Sequence, residues 1–565
     1  MRKAFDRQQR MDCPTIANVP LNSGCRDEII PILTALKHIY SQPKLRDELL
    51  QAVARDVNRD SSRSCGRKGM GYWPILVLAS VRLGCNFDYD RLQNLAEEHR
   101  ALRRMMGIGD WNEEADFNWR TIRNNITLLQ PKTLERINHA VVAEGHRLVP
   151  EAAETIRGDS FVAQTNIHYP TDSSLIRDSL RKVLALCMAI ATLVGGRGWR
   201  QHKHLYRKVK NLARQIDRVA ARKGDGYQQR LQRLYRELLG AAESILTRAD
   251  KLRESLKKRG KASGEVLTLD AQLNTFLERT RHVCGIARRR VLQGETIPNH
   301  EKLFSIFETH TQLYKRGKAA EPVQFGRLVL VCEDGVGFIS HVYLMPRDAD
   351  DRSVLVPQMR ILQDRLGGRI RRASFDRGFH SPENQRELAE IVAHPCLPMP
   401  GAKQAQGQEA EATVEFREAR QHHPGIESAI HALQSGNALR RCRDRSERGF
   451  SRYIQLAVLG RNLHVLGKIL LAREDAECNA AESRRKHKAA CARPPTFSGS
   501  FSPGIRKPDR SPIHSHHLRT ILSGLIACCF SRNRPLRPSS VPSSPRSYRL
   551  LTPAPTTIPP FQDGH

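Results

Sequence analysis

The sequence lacks the cysteine pairs that mark a disulfide scaffold or a zinc ribbon. It has thirteen cysteines, an odd number, and no two of them form a CxxC pair. This usage is typical of reduced, buried thiols in a cytosolic protein. The doublet of His422 and His423 and the HSHH run at 514–517 have no cysteine partners in zinc-finger spacing, which argues against a zinc site.

Signals for secretion or for a membrane anchor are also missing from the pattern. The residues after Met1 do not show a charged segment followed by an apolar one. The longest apolar stretch, VLALCMAIATLV at 183–194, has twelve residues, whereas a helix that crosses a bilayer needs about 20. We therefore expect a cytoplasmic protein whose apolar runs form its core.

Acidic residues are scarce relative to basic ones. Lys and Arg number 92 against 59 Asp and Glu, so the formal net charge is +33 and the sequence pI is about 10.1. Such an excess favours a polyanionic partner, nucleic acid before membrane. A ribosome-associated protein, or one that is merely basic, has the same composition.

The length of 565 residues predicts more than one domain. Residues 1–150 have helical periodicity, and their helix–turn–helix units fit DNA binding or dimerisation as well as an ordinary helical bundle. Residues 151–475 alternate strand-like and helical segments around a helical insertion at about 175–300. Residues 476–565 are predicted to be a disordered basic tail, since 13 of the 30 prolines lie beyond residue 479.

The insertion is predicted to contain an antiparallel pair of long helices. Apolar residues keep a four-three spacing on both sides of a KGDG break at 223–226, as in a helical hairpin. The outer face of the first helix is basic, with Lys203, Arg207, Lys208, Lys210, Arg214 and Arg218. These side chains suit DNA phosphates, although a solvated face explains them equally well.

Three carboxylates stand at the ends or starts of predicted elements in the second half. Asp159 lies in the strand-like RGDSFV, Asp376 ends the strand-like IRRASFD, and Glu427 opens the helix GIESAIHAL. The order is strand with acid, hairpin, helix, strand with acid and helix with acid, which suggests an α/β, RNase H-like core. Each acid alone also has an ordinary explanation, as a turn residue, a surface strand end or a first-turn helix acid.

Five further segments carry a family likeness in a fixed order. They read GDSFVAQTNIHYPTDSSLIRDSLRKVL, IPNHEKLFSIFETHTQLYKRGK, VCEDGVGFISHVYLMPRDADD, SFDRGFHSPENQREL and HHPGIESAIHALQSGNALRRCRDRSERGFSRYIQLAVLGRNL. Together with ILVLASVRLGCNFDYDRLQNLAEEHRALRRMMG near the amino terminus, they resemble the DDE transposases of bacterial insertion sequences, particularly the ISNCY type. The resemblance covers roughly residues 65–472.

The resemblance implies an RNase H-like catalytic fold in which Asp159, Asp376 and Glu427 hold two Mg²⁺ ions, with Mn²⁺ as a substitute. It also implies two DNA partners, the terminal inverted repeats and the target, and a homodimer or larger synaptic complex near the nucleoid. Carboxylates suit Mg²⁺, which prefers hard oxygen ligands. Two such ions stabilise the attacking and leaving oxygens of phosphodiester transfer. Water would free a 3′-hydroxyl at the element end, and that hydroxyl would attack target DNA.

Other acids are expected to have structural roles. Asp172 is predicted to cap the helix that follows it, with support of the metal site together with His168 as the alternative. Glu333 and Asp334 are predicted to form a hairpin-turn pair rather than to bind metal.

The sequence is also compatible with two other functions. The protein is alternatively an inactive transposase relic that binds DNA without catalysis, or an RNase H-like nuclease that cuts without joining. The acid triad separates an enzyme from a binder, whereas no residue reports the joining step.

The change in amino-acid composition after residue 475 generates a prediction. Because the segment has no periodic apolar pattern that would contribute to a core, removal of residues 480–565 should leave folding intact. Soluble yield and the unfolding transition of the truncated chain measure this. Loss of soluble protein on truncation would contradict it.

Overall fold

One long strand, Thr155–Thr165, organises a mixed α/β fold, in agreement with the α/β class predicted from the sequence. The structure is a computed structural model. It describes residues 11–59, 69–111, 117–196, 198–222, 224–259, 263–315, 321–347, 349–399 and 411–491.

Within these residues, seven α-helices precede the first strand. They are α1 (Ile29–Ser41), α2 (Pro43–Val57), α3 (Tyr72–Gly84), α4 (Tyr89–Glu98), α5 (Arg100–Met105), α6 (Trp119–Ile126) and α7 (Pro131–Leu148). The apolar run WPILVLASVRLG predicts a helix that ends at Gly84, and this helix is confirmed. The amphipathic run DYDRLQNLAEEHRALRRMM at 88–106 predicts one continuous helix. That prediction is wrong, because His99 has an extended backbone and its ring accepts a hydrogen bond from the amide of Leu102.

The strands form one mixed sheet with β1 at its centre. They are β1 (Thr155–Thr165), β2 (Gln312–Tyr314), β3 (Gln324–Asp334), β4 (Ile339–Leu344), β5 (Arg372–Ser374), β6 (His394–Cys396) and β7 (Arg441–Cys442). β3 runs antiparallel to β1 on one side, and β5 runs parallel to it on the other. β2 and β4 both pair antiparallel with β3, β6 pairs parallel with β5, and β7 pairs parallel with the end of β1.

The helical insertion lies between β1 and β2. It contains α8 (Asp172–Leu193), α9 (His202–Arg222), α10 (Tyr227–Arg259) and α11 (Gly264–Ala287), followed by a π-helical turn at Arg288–Leu292. The predicted hairpin is confirmed as α9 and α10, which pack against each other. Helices α8 and α11 also pack on it, and the four helices bury a hydrophobic cluster of their own.

The second half adds helices on both sides of the sheet. They are α12 (Asp351–Arg365), α13 (Pro382–Ile391), α14 (Val414–His422), α15 (Gly425–Ser435) and α16 (Glu447–Cys491). The segment DRSVLVPQMRILQDRLG predicts a helix despite its internal proline, and α12 does continue through Pro357. Its start is fixed by a capping box, in which Asp350 and Ser353 satisfy each other's backbone amides.

The two faces of β1 are buried in different clusters. Ile156 and Val162 pack with residues of α12 and α13, whereas Phe161 and Ala163 pack in a larger cluster that includes α1–α7, α15 and α16. The alternation follows from the two-residue period of a strand. The helical segment and the sheet therefore bury one continuous core across the domain boundary predicted at residue 150.

Helix α16 is long and apolar enough, by length and composition alone, to cross a membrane. The apolar pattern of GFSRYIQLAVLGRNLHVLGKILL at 449–471 predicts a strongly apolar final helix, and this prediction is confirmed. However, 67% of its apolar window is buried inside the fold, where it packs against α1, α3 and α7. The fully buried Asn462 accepts from the amide of Ile339 at 2.8 Å and donates to the carbonyl of the same residue at 3.1 Å. These contacts are typical of a core helix.

The tail predicted to begin at residue 476 starts inside α16, which continues to Cys491. The physical reason is composition, since AECNAAESRRKHKAA at 476–490 is rich in strong helix formers and has no proline. Residues 492–565, which hold the rest of the predicted tail, lie outside the described residues.

Two histidines, the half-buried His139 and the buried His341, join α7, β4 and α12 through Arg365. Arg365 on α12 donates to Nε2 of His139 at 2.6 Å and lies 3.5 Å from Nδ1 of His341. Nε2 of His341 lies 2.9 Å from Oε1 of Gln358. Burial, with the charge of Arg365 next, lowers the pKa of His139 and the pKa of His341 to about 4. Both rings are therefore neutral partners of the guanidinium at neutral pH.

These two histidines predict a loss of stability in acid. The folded pKa values lie below the unfolded value of about 6.5, so the unfolded chain binds more protons over this range. The free energy of unfolding should fall as the pH is lowered from about 6.5 to about 4. Urea unfolding between pH 7 and pH 4 measures the slope.

The variant His341→Gln should flatten that slope, because one of the protonatable groups is gone. His431→Gln, at an exposed position on α15, is the control and should keep it. An unchanged slope in His341→Gln would contradict the assignment.

Candidate active site

Asp159 lies in the middle of the central strand. It is the fifth residue of β1, between β3 and β5, and it is half-buried. Its Oδ1 accepts from the backbone amide of Ser160 at 2.7 Å. Because side chains alternate along a strand, Asp159 shares a face with Arg157 and Phe161, on the side of α15 and α16.

Asp376 lies two residues beyond the end of β5 and is exposed. Its Oδ1 accepts from the amide of Arg377 at 2.8 Å, and this contact starts a short 3₁₀ turn at Arg377–Phe379. The strand before it is shorter than the sequence suggested, and the acid follows the strand rather than ending it.

The register of β1 and β5 brings these two acids into line. The parallel pairs are Thr155 with Arg372, Ile156 with Ala373 and Arg157 with Ser374. Continued by two residues, the same register aligns Asp159 with Asp376. Neighbouring strands lie about 4.8 Å apart, so the alignment sets the two carboxylates on adjacent chain segments.

Gly158 supports the continued register. A Cβ on Gly158 would lie 2.3 Å from Cε1 of Phe375, and Phe375 is fully buried. The ring therefore packs directly on the strand at the pair of positions before the two acids. Only glycine leaves room for it.

Glu427 lies on a helix that packs on the same face of the sheet. It is in the first turn of α15, and its side chain is exposed. The opposite side of the helix is apolar and packs into the cluster that contains Phe161 and Ala163 of β1, with Ile426, Ala429, Ile430 and Leu433. The helix contacts β1 directly.

The three predicted acids do not form a closed ligand set. Among the residues that the structure describes, no group of three or more His, Cys, Asp and Glu side chains is arranged to hold a metal ion. The pairing of β1 with β5 thus ends two residues before Asp159 and Asp376, and the helix of Glu427 packs on the same strand, but the three carboxylates are not gathered into one ligand set.

His423 was missed as a site residue. It lies between α14 and α15, is buried, and its Nδ1 is 3.2 Å from Oγ of Ser374 at the end of β5. Burial lowers the pKa of His423, and the charge of Asp376 opposes the shift. The sequence pattern of the doublet bears on zinc binding and does not by itself show this contact. Its position four residues before Glu427 was the available signal.

The carboxylates at the end of β3 also have specific partners. Oδ1 of Asp334 accepts from the amides of Val336, Gly337 and Phe338, which confirms its predicted role in the hairpin turn. Glu333 instead pairs with Arg157 on β1 at 2.6 Å. Burial raises the pKa of Glu333, while the charges of Arg157 and, more weakly, Arg461 oppose the shift.

The expected cap at Asp172 is displaced by one residue. Thr171 caps α8 through a capping box with Ser174, because its hydroxyl accepts from the Ser174 amide. Asp172 pairs with Arg290 at 2.7 Å, and His168 lies 3.5 Å from Asp178. Asp172 and His168 therefore have different partners and do not pair with each other.

Comparison of the chain with protein-family models, with curated proteins and with solved structures finds no match.

The contact of Phe375 with Gly158 generates a prediction for the register. The variant Gly158→Ala should lose about 1–3 kcal/mol of unfolding free energy, the usual cost of overpacking a core. Urea unfolding measures the change. The control is Gly285→Ala on α11, where an added Cβ meets nothing within 4 Å. Wild-type stability in Gly158→Ala would contradict the continued register.

Proposed function

We propose that the protein is a DDE transposase that cleaves DNA at the terminal inverted repeats of its element and joins the 3′-hydroxyl ends to target DNA. The observation that carries the proposal is the parallel register of β1 and β5, which aligns Asp159 with Asp376 when it is continued by two residues. Two carboxylates from distant parts of the sequence would then lie on neighbouring chain segments, as metal-assisted phosphodiester transfer requires.

The order of elements supports an RNase H-like core. A strand with an acid, a hairpin, a helix, a strand followed by an acid and a helix with an acid correspond to β1, β3–β4, α12, β5 and α15. The antiparallel β3 and the parallel β5 flank β1. The insertion α8–α11 separates the first strand from the hairpin without interrupting the sheet.

The donor atoms fit Mg²⁺, or Mn²⁺ in its place. Mg²⁺ keeps several waters and is commonly held by one or two carboxylates together with substrate phosphates, so Asp159 and Asp376 suffice for a first ligand set and Glu427 is the proposed third ligand. When bound, the ions stabilise charge on the attacking and leaving oxygens and lower the pKa of the attacking water. The need for DNA phosphates agrees with the incomplete ligand set in the protein alone.

In this proposal, the basic residues of α9 bind the DNA. Helix α9 has seven Lys and Arg residues and one acid, Asp217. Five of the six basic residues predicted for its outer face are exposed, namely Lys203, Arg207, Lys208, Arg214 and Arg218, while Lys210 is half-buried. These cations would contact phosphates without reading sequence. Joining two ends requires them to be held together, so a homodimer or larger synaptic complex is part of the proposal, as is a cytoplasmic, nucleoid-associated location.

One observation favours a second candidate, a relic that binds DNA without catalysis. The described residues contain no cluster of three metal ligands, and a chain that retained only its basic surface would still bind element ends.

The test incubates the purified protein with Mg²⁺ and duplex DNA that carries the ends flanking its own gene. We expect nicks at the element boundary and joined products. Asp159→Asn, Asp376→Asn and Glu427→Gln should each lower the nicking rate by about 100-fold or more, since changes behind metal ligands alone cost 10–100-fold. Asp364→Asn, at an exposed position on α12, is the matched control and should nick normally.

Two results would contradict the proposal. Specific end binding without nicks in either Mg²⁺ or Mn²⁺ would identify the relic. Nicks without joined products would identify a nuclease.

A further inference from the structure

We propose that Arg157 is a positioning residue that holds the first turn of α15, and with it Glu427, against the strand that carries Asp159. This inference rests on the proposed function, because it assigns a role at the same carboxylate site. It follows from the partners of the three guanidinium nitrogens.

The guanidinium of Arg157 is bound on two sides. Toward the sheet, Nε and Nη2 contact Oε2 of Glu333 on β3 at 2.7 and 2.6 Å. Toward the helices, Nη1 donates to the backbone carbonyl of His422 at 3.0 Å. Since His422 ends α14 and α15 begins at Gly425, one side chain joins the sheet to the turn that leads into the helix of Glu427.

The absence of a side chain at Gly425 leaves room for the guanidinium of Arg157. A Cβ on Gly425 would lie 2.0 Å from Nη1 and 2.5 Å from Cζ of Arg157. Any other residue at this position would displace the end of the arginine side chain. The substitution Gly425→Ala should therefore displace the guanidinium of Arg157 while its charge is retained.

Arg157 is close in sequence to Asp159, and its contact at Gly425 is close in sequence to Glu427. Arg157 and Asp159 are alternate residues of β1 and share a face. Glu427 is the third residue of α15, two positions after Gly425. A displacement of Arg157 would therefore release the helix start relative to the strand and change the separation of the two carboxylates.

A second arginine near Glu333 allows the effect of neutralising this carboxylate to be distinguished from the effect of positioning α15. Glu333 is 1% exposed, and a buried carboxylate needs a compensating cation. Arg461 on α16 also lies 3.8 Å from its Oε1. Arg461 thus neutralises the same carboxylate from another helix, which makes Arg461→Lys the matched control for Arg157→Lys.

The first measurement is Mn²⁺ binding by the full-length protein, followed by electron paramagnetic resonance of the free ion. Lysine carries all its donors on one nitrogen and lacks the planar fork by which the guanidinium reaches Glu333 and the His422 carbonyl from different nitrogens. Arg157→Lys and Gly425→Ala should therefore each raise the dissociation constant about tenfold, as expected when a group behind a metal ligand is lost. Arg461→Lys should leave it unchanged.

The second measurement is hydrogen exchange without metal over residues 423–430. In the structure, the amides of Ile426 and Glu427 donate to the carbonyls of His423 and Pro424. Arg157→Lys and Gly425→Ala should speed exchange in this segment, and Arg461→Lys should not.

The outcomes separate this inference from the proposed function. Equal losses of Mn²⁺ affinity in Arg157→Lys and Arg461→Lys would overturn the inference, because neutralisation of Glu333 would then explain both. Unchanged exchange in Arg157→Lys would also overturn it. If the wild-type protein binds no Mn²⁺ and nicks no DNA, the proposed function fails, while the exchange comparison still decides whether Arg157 holds α15.

Discussion

The parallel pairing of β1 with β5 is the constraint on which the rest of the account depends. A slip of one residue along β1 would exchange its two faces, and both faces are committed to cores. Ile156 and Val162 belong to one cluster, and Phe161 and Ala163 to the other. Burial on both sides therefore fixes the register, and the same register, continued by two residues, aligns Asp159 with Asp376.

The sheet alone does not complete the site, because its third acid is on a helix. Helix α15 is held on β1 by apolar contacts and, at its start, by the contact of Arg157 with the carbonyl of His422. Helix α16 closes the same side of the fold and brings Arg461 to the buried Glu333. The amino-terminal helices share this core, so they support the geometry of the site as well as any role in DNA binding.

Local sequence patterns predicted the helices and strands that have strong apolar periodicity or clear turn and capping residues at their ends. The apolar run that ends at Gly84, the hairpin of β3 and β4, and the helix through Pro357 all follow from neighbouring residues. The short strands β2, β6 and β7 were missed, since two or three residues show no alternation and β6 contains Pro395. The three acids were identified by likeness and by order, whereas their alignment depends on strand pairing that no single segment encodes. The partners of Arg157 were missed for the same reason, because they come from β3 and from the turn before α15.

The most direct test of the central claim is anomalous diffraction from crystals of the protein grown with Mn²⁺ and a short duplex of its element end. The account predicts a Mn²⁺ peak within ligand distance, about 2.0–2.2 Å, of carboxylate oxygens of Asp159 and Asp376, with Glu427 and a DNA phosphate oxygen beside it. Ordered DNA on the protein with no peak at these carboxylates, or with the metal bound elsewhere, would contradict it.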